Sequence, residues 1–179
     1  VRALIGSKLP HGVAGHVDAM GNLVATLGEG EPKTMFVAHM DEIGFVVSDV
    51  REDGFLRLKP LGGIDPRTLV GRLLRIVTAK GQLLGAVAVR PPHLMRDPAA
   101  EMKEVPPVTE LYVDIGAKSR AEAKEMGVAI LDFAVYEKDP RDLNGKLLCS
   151  RALDDRAGCY VLLKALAELS KKPPKGSVH

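Results

Sequence analysis

The residues best equipped for chemistry lie in two short segments, "VAHMDEIG" (Val37–Gly44) and "ALDDRAG" (Ala152–Gly158). The first ends an apolar run with His39 and, two positions on, Asp41. Residues i and i+2 of a strand project to the same face. A carboxylate so placed accepts the proton of one imidazole nitrogen and leaves the other free for a metal ion. The plainer reading is a strand end that meets water. In the second segment Asp154 and Asp155 open a helix. Their plain role is capping, since a carboxylate accepts orphan N–H groups and complements the helix dipole. The chemical role makes one of them a bridge between two divalent cations at the mouth of an α/β sheet. Asp41 with Asp154 or Asp155 would also suit a carboxylate-based glycosidase, as its acid and base pair.

Other reactive side chains carry less. His93 sits in a proline-rich loop and reads as structural, and Glu42 adjoins the His-x-Asp pair without an assigned role. Gly28-Glu29-Gly30 lacks the Gly-Lys-Ser/Thr ending of a phosphate loop. Cys149 has no evident base, and Cys159 lies in an apolar helical run as a small core residue.

The two segments need elements to position them. "HVDAMGNLVATLG" reads as two short strands around a turn at Met20-Gly21-Asn22. "TMFVA" (Thr34–Ala38) is a continuous apolar run, suited to a strand covered on both faces. After Gly44, turn signals arrive at Glu52-Asp53-Gly54, Leu61-Gly62-Gly63 and Ala79-Lys80-Gly81, with "FLRLKP", "RLLRIVT" and "LLGAVAV" between them. That spacing predicts a small β-barrel or sandwich. A proline-studded loop runs from Arg90 to Pro107. Ser119-Arg120-Ala121-Glu122 is a capping box and Gly127 a helix stop, so "RAEAKEM" is a short helix; a strand follows near Ile130–Tyr136. Apolar groups at Ala157, Tyr160, Val161, Leu163, Ala165, Leu166 and Leu169 predict a helix over Asp154–Leu169 packed heavily on a sheet. Ser177-Val178-His179 reads as the start of another strand. The ends thus form one α/β domain, residues 1–42 and 147–179, with a β-rich insert over residues 43–146.

Bulk composition narrows the classes. Apolar residues make up 46% and charged residues 27%, ordinary for a soluble globular protein. A net charge of +2 gives no field to draw nucleic acid or an anionic membrane, and 4% aromatics without Trp removes the usual base-stacking platforms. Apolar runs are too short and too interrupted by charge to span a bilayer. Neither a signal peptide nor a disulfide framework is evident, so a cytoplasmic, reducing location is expected. The missing initiator Met predicts a trimmed N-terminus.

Taken together, "AHMDEIG" after the apolar strand, a long β-rich insert and "ALDDRAG" opening a helix resemble one group of dinuclear metallopeptidases. These are the tetrahedral aminopeptidases, also known as glutamyl or deblocking aminopeptidases. "DAMGNL" (Asp18–Leu23), "RPPHL" (Arg90–Leu94), "LYVDIGAKSRAEAKEMGV" (Leu111–Val128) and "LNGKLLCSRALDDR" (Leu143–Arg156) fit the same pattern. The resemblance implies a metallopeptidase-type α/β catalytic domain, incomplete here, carrying a barrel-like insert that mediates dimerisation within a tetrahedral dodecamer. It implies two divalent ions per subunit, zinc or cobalt, acting on peptides from their N-terminus. His39 would ligate one ion, Asp41 would hold the His39 ring in its metal-binding tautomer, and Asp154 would bridge both. It further implies a cis peptide between Asp154 and Asp155. The group's Glu-Glu pair, further Asp and distal His are not found before His179, so a longer parent protein is expected and activity from this chain by itself is not. A noncatalytic assembly module, with a vestigial metal site, is the remaining reading.

Overall fold

Met20-Gly21-Asn22 closes the first hairpin because Asp18 organises it. The Asp18 carboxylate accepts hydrogen bonds from the Met20 and Asn22 backbone N–H groups at 2.9 and 2.8 Å and from the Asn22 side-chain amide at 2.9 Å. Gly21 supplies the positive φ of 87° that the turn requires. In this computed structural model, which describes residues 1–179, a short helix α1 (Arg2–Gly6) precedes the hairpin strands β1 (Ala14–Val17) and β2 (Leu23–Glu29). They pair antiparallel from Val17 against Leu23 to Ala14 against Thr26. A two-residue strand β3 (Lys33–Thr34) follows.

The chain forms two units, Val1–Glu42 with Ser150–His179 and, separately, Ile43–Cys149. The second unit is a closed barrel. Its strands are β4 (Gly44–Val50), β5 (Leu56–Leu61), β6 (Leu73–Thr78), β7 (Gly81–Ala88), β8 (Tyr112–Asp114) and β9 (Phe133–Tyr136), ordered β4-β5-β8-β7-β6-β9. Alternation sets the inside: Leu74, Ile76 and Thr78 are buried along β6 while Leu73 and Val77 face out. Phe45, Val47, Leu56, Leu74, Ile76 and Val113 are at most 1% exposed and fill the barrel. Gly85 also faces the interior, where a Cβ would collide with Val113 and stand 3.0 Å from Ile115. Closure removes the sheet edges that a meander of short strands would otherwise leave open.

The proline-rich segment holds a single short helix, α2 (Pro98–Glu101), capped by Asp97, and His93 lies exposed in a 3-10 turn. Helix α3 (Arg120–Glu125) starts where the capping box predicts. The Ser119 hydroxyl accepts from the Glu122 N–H at 3.1 Å, but the Glu122 carboxylate takes the Lys118 N–H at 2.8 Å rather than that of Ser119. Strands β10 (Arg141–Leu143) and β11 (Leu147–Cys149) form a further hairpin, turning at Asn144 and Gly145 with φ of 59° and 72°. That hairpin belongs to the barrel unit, so the later boundary falls after Cys149 rather than after Lys146.

The first unit resumes with α4 (Leu153–Lys171) and β12 (Gly176–Val178). Strand β12 runs antiparallel to β2 and parallel to β3, giving the sheet order β1-β2-β12-β3. Here two expectations fail. Of the apolar run only Thr34 is in the ladder, and Met35, Phe36 and Val37 are 73, 54 and 80% exposed rather than covered. Strand β12 pairs over three residues, and beyond them two bonds of His179 continue the pairing: its N–H donates to the Thr34 carbonyl and its carbonyl accepts from the Phe36 N–H, both at 2.9 Å. Helix α4 is likewise covered on one side only: Cys159 is buried and Leu162, Leu163, Leu166 and Leu169 are half-buried, but Ala157, Tyr160, Val161 and Ala165 are exposed.

The barrel yields a direct test. Leu74→Ala should lower stability by about 2–5 kcal/mol, the usual cost of emptying a packed site. Leu84→Ala, at a 56% exposed position of the next strand, should stay within about 0.5 kcal/mol. Guanidinium denaturation of each variant reads the difference.

Candidate metal centre

Only two backbone regions build the site, and both are in the first unit. The segment after β3 carries His39 and Asp41, and the start of α4 carries Asp154 and Asp155. Ala152 enters the helix in the left-handed region at φ 57°, and Asp154 and Asp155 have non-helical dihedrals. The Asp154–Asp155 peptide is cis, as the resemblance implies.

This irregular entry gives the two aspartates different work. The Asp155 carboxylate accepts the Gly158 N–H at 3.0 Å, so it is the side chain that caps the regular part of the helix. A Cβ at residue 158 would collide with that carboxylate, which explains the glycine. Asp154 is turned to solvent, its side chain 96% exposed, and faces the imidazole of His39.

The His39 ring is held between two carboxylates. Its Nδ1 lies 3.0 Å from Asp41 Oδ1 and its Nε2 lies 3.2 Å from Asp154 Oδ1. His39 and Asp41, singled out by type and spacing, and Asp154, singled out by the resemblance, therefore stand together, although His39 and Asp154 are 115 positions apart. Desolvation of the ring opposes its protonation, but the Asp41 hydrogen bond and the charges of Asp154 and Asp41 outweigh it and raise the pKa above the ordinary 6.5.

The donor set fits a divalent cation. With the proton of Nδ1 given to Asp41, Nε2 presents a lone pair toward the Asp154 carboxylate. Two ligands held about 2.0–2.2 Å from a tetrahedral ion stand about 3.3–3.6 Å apart. The observed 3.2 Å between Nε2 and Oδ1 is close to that spacing. One imidazole and one carboxylate supply two ligands, and no group of three or more His, Cys, Asp or Glu side chains in the chain is placed to hold a metal ion by itself.

The surroundings contain residues to which the sequence reading gave no part in the site. Glu42 is only 14% exposed at its side chain, with Oε1 3.2 Å from Arg151 Nη1 and 3.5 Å from Arg156 Nη2. Arg156 Nε also donates to the Met40 carbonyl at 3.0 Å. Cys159, read as a core residue, is buried, and its thiol donates to the His39 carbonyl at 3.3 Å. Desolvation pushes that thiol's pKa up, consistent with an inert group. The one local signal for the cluster was two arginines flanking an acidic doublet in "SRALDDR".

Known proteins share this arrangement of sequence and fold. The family model for M42 glutamyl aminopeptidase matches residues 21–179. The lysyl aminopeptidase of Pyrococcus furiosus is 36% identical over 155 residues, covering 87% of this chain and 44% of the relative. The glutamyl aminopeptidase of Lactococcus lactis subsp. cremoris is 34% identical over 160 residues, covering 87% of this chain and 45% of the relative. Among solved structures, the TET1 peptidase of Pyrococcus horikoshii superposes with a TM-score of 0.85 at 43% identity, over 99% of this chain and 53% of that one. Its description states that it can assemble into a tetrahedron or a large octahedral shell. The chain spans about half the length of these relatives. The fold expected from the sequence, a partial α/β domain with a barrel-like insert, is the fold of these structures over the part that the chain covers.

The electrostatics of His39 are open to measurement. In metal-free protein its ring should titrate above 6.5 by NMR, and Asp41→Asn or Asp154→Asn should each lower that value. Because the folded value is raised, the contribution to stability is complete below the unfolded pKa and is lost as pH rises through the folded one.

Proposed function

Because the chain belongs to the M42 glutamyl aminopeptidase family, we propose that its parent protein is a metal-dependent aminopeptidase that removes N-terminal residues from peptides. The observation that carries this reading is the imidazole held between Asp41 and Asp154, with one ring nitrogen directed at each. Two divalent cations, zinc or cobalt, would polarise the scissile carbonyl and bring the pKa of a bound water toward about 7.

The chain's own residues then have distinct tasks. His39 supplies Nε2 as a neutral donor, which it does only while Nδ1 keeps its proton. Asp41 accepts that proton in a hydrogen bond and so fixes both tautomer and ring orientation. Asp154 holds two carboxylate oxygens clear of the protein surface, and we assign it the bridging role. Asp155 stays with the helix as its cap and takes no part in binding. The names of the relatives refer to different residues, lysyl in one and glutamyl in the other. What those names share is release of an N-terminal amino acid, and the proposal is confined to that chemistry.

The insert, Ile43–Cys149, is proposed to mediate dimerisation, with dimers joined into a tetrahedral dodecamer. The assembly described for the Pyrococcus horikoshii peptidase supports this. Both cysteines are free, which suits a cytoplasmic location. No helix is long and apolar enough to cross a membrane. With two ligands, residues 1–179 by themselves are expected to be inactive.

Chelation tests the reading. Treating the full-length protein with a strong chelator should abolish hydrolysis of an aminoacyl p-nitroanilide, and added zinc or cobalt should restore it. His39→Ala and Asp154→Asn should each lower kcat/KM by more than about 10²-fold, beyond the range usual for outer-shell changes. Peptide hydrolysis that survives complete metal removal would contradict the proposal. Glycosidase activity with no peptidase activity would replace it with the carboxylate-only chemistry.

A further inference from the structure

His39 and Asp154 face one another with side chains 57% and 96% exposed, so no packing around the side chains sets their separation. Their backbones must be held instead. Four contacts do this, and three involve one small cluster. Arg156, two residues beyond Asp154, donates from Nε to the Met40 carbonyl at 3.0 Å, on the residue directly after His39. Its Nη2 lies 3.5 Å from Glu42 Oε1, and Arg151 Nη1 lies 3.2 Å from the same oxygen. On the other side the Cys159 thiol meets the His39 carbonyl at 3.3 Å.

A carboxylate withdrawn from water to 14% exposure is costly unless paired, and Glu42 has two guanidinium partners. The planar fork of an arginine serves a carbonyl and a carboxylate at once in fixed directions, whereas a lysine offers one rotatable ammonium. Arg156 is thus the one side chain that bonds directly to both the backbone and the side chain of the His39-bearing segment while standing beside Asp154.

We propose that Arg156, anchored by Glu42, is a positioning residue that sets the separation of His39 Nε2 and Asp154 and thereby the site's affinity for its cation. The inference rests on the metal-site reading above. Without the guanidinium, residues 39–42 and the start of α4 keep only the Arg151–Glu42 and Cys159–His39 contacts, and the two ligands are less closely held.

Zinc affinity of the full-length protein, by competition with a chromophoric chelator, and the visible spectrum of the cobalt-saturated protein test this together. Arg156→Met keeps the aliphatic stem and removes every donor. It should weaken zinc binding about 10–100-fold, as loss of outer-shell partners does, and alter the cobalt spectrum at saturation. Arg156→Lys should fall between Arg156→Met and wild type. Wild-type affinity and an unchanged cobalt spectrum in Arg156→Met, while His39→Ala binds one zinc fewer than wild type, would overturn the positioning role and leave the site intact. Wild-type zinc stoichiometry and affinity in His39→Ala would instead overturn the site, and with it this inference. A thermal melt of the metal-free protein separates folding from positioning: a merely structural role lowers the melting point and leaves the saturated cobalt spectrum unchanged. If Arg156→Met does not fold, Arg156→Lys and Glu42→Gln are read by the same criterion.

Discussion

The chemistry proposed for this chain depends on bringing one imidazole against one carboxylate across 115 positions of sequence. Neither group is useful without the other, because a single exposed ligand binds a divalent ion weakly and a pair at the right spacing pre-organises the site. The pair is costly to leave unoccupied by charge: two carboxylates flank His39, and their fields favour its protonated form. On the proposed reading, a bound cation would supply the positive charge that the proton otherwise provides. Metal and proton would then compete for Nε2, and Asp41 would serve both states by fixing the other nitrogen.

The fold answers this requirement with an irregular helix start. A regular N-terminus would have directed both aspartates at its own N–H groups. Ala152 in the left-handed region and the non-helical dihedrals at residues 154 and 155 separate the two, so one caps and the other reaches out. Gly158 makes room for the capping carboxylate, and Arg156 points back to Met40 and Glu42. Function and local folding thus share seven residues, with adjacent positions assigned to opposite tasks. The barrel, built from strict alternation and a closed ladder, is a separate solution to burying apolar surface.

Much of this was legible beforehand, for physical reasons that differ by element. The barrel's inner face was written in period-two alternation such as Leu74, Ile76 and Thr78, because a strand sorts its faces residue by residue. Ser119 announced α3 because a cap acts within one turn of its own position. Apolarity misled at Met35–Val37 and along Tyr160–Val161, since it records a need for cover and not whether cover is present. The division of labour between Asp154 and Asp155 came only from the resemblance and was not legible in residue type or spacing, because two identical side chains are distinguished only by the backbone at 152–155. The Glu42 cluster was hidden for another reason: its partners lie more than a hundred positions apart, and ion pairs at that range leave no periodic trace.

The most direct test of the central claim is anomalous diffraction at the zinc edge from crystals of the full-length protein. The account requires a zinc peak about 2.0–2.1 Å from His39 Nε2 and about 2.0–2.2 Å from an Asp154 oxygen, with Nδ1 still bonded to Asp41. A peak that contacts neither residue, or binds His39 through Nδ1, would contradict it.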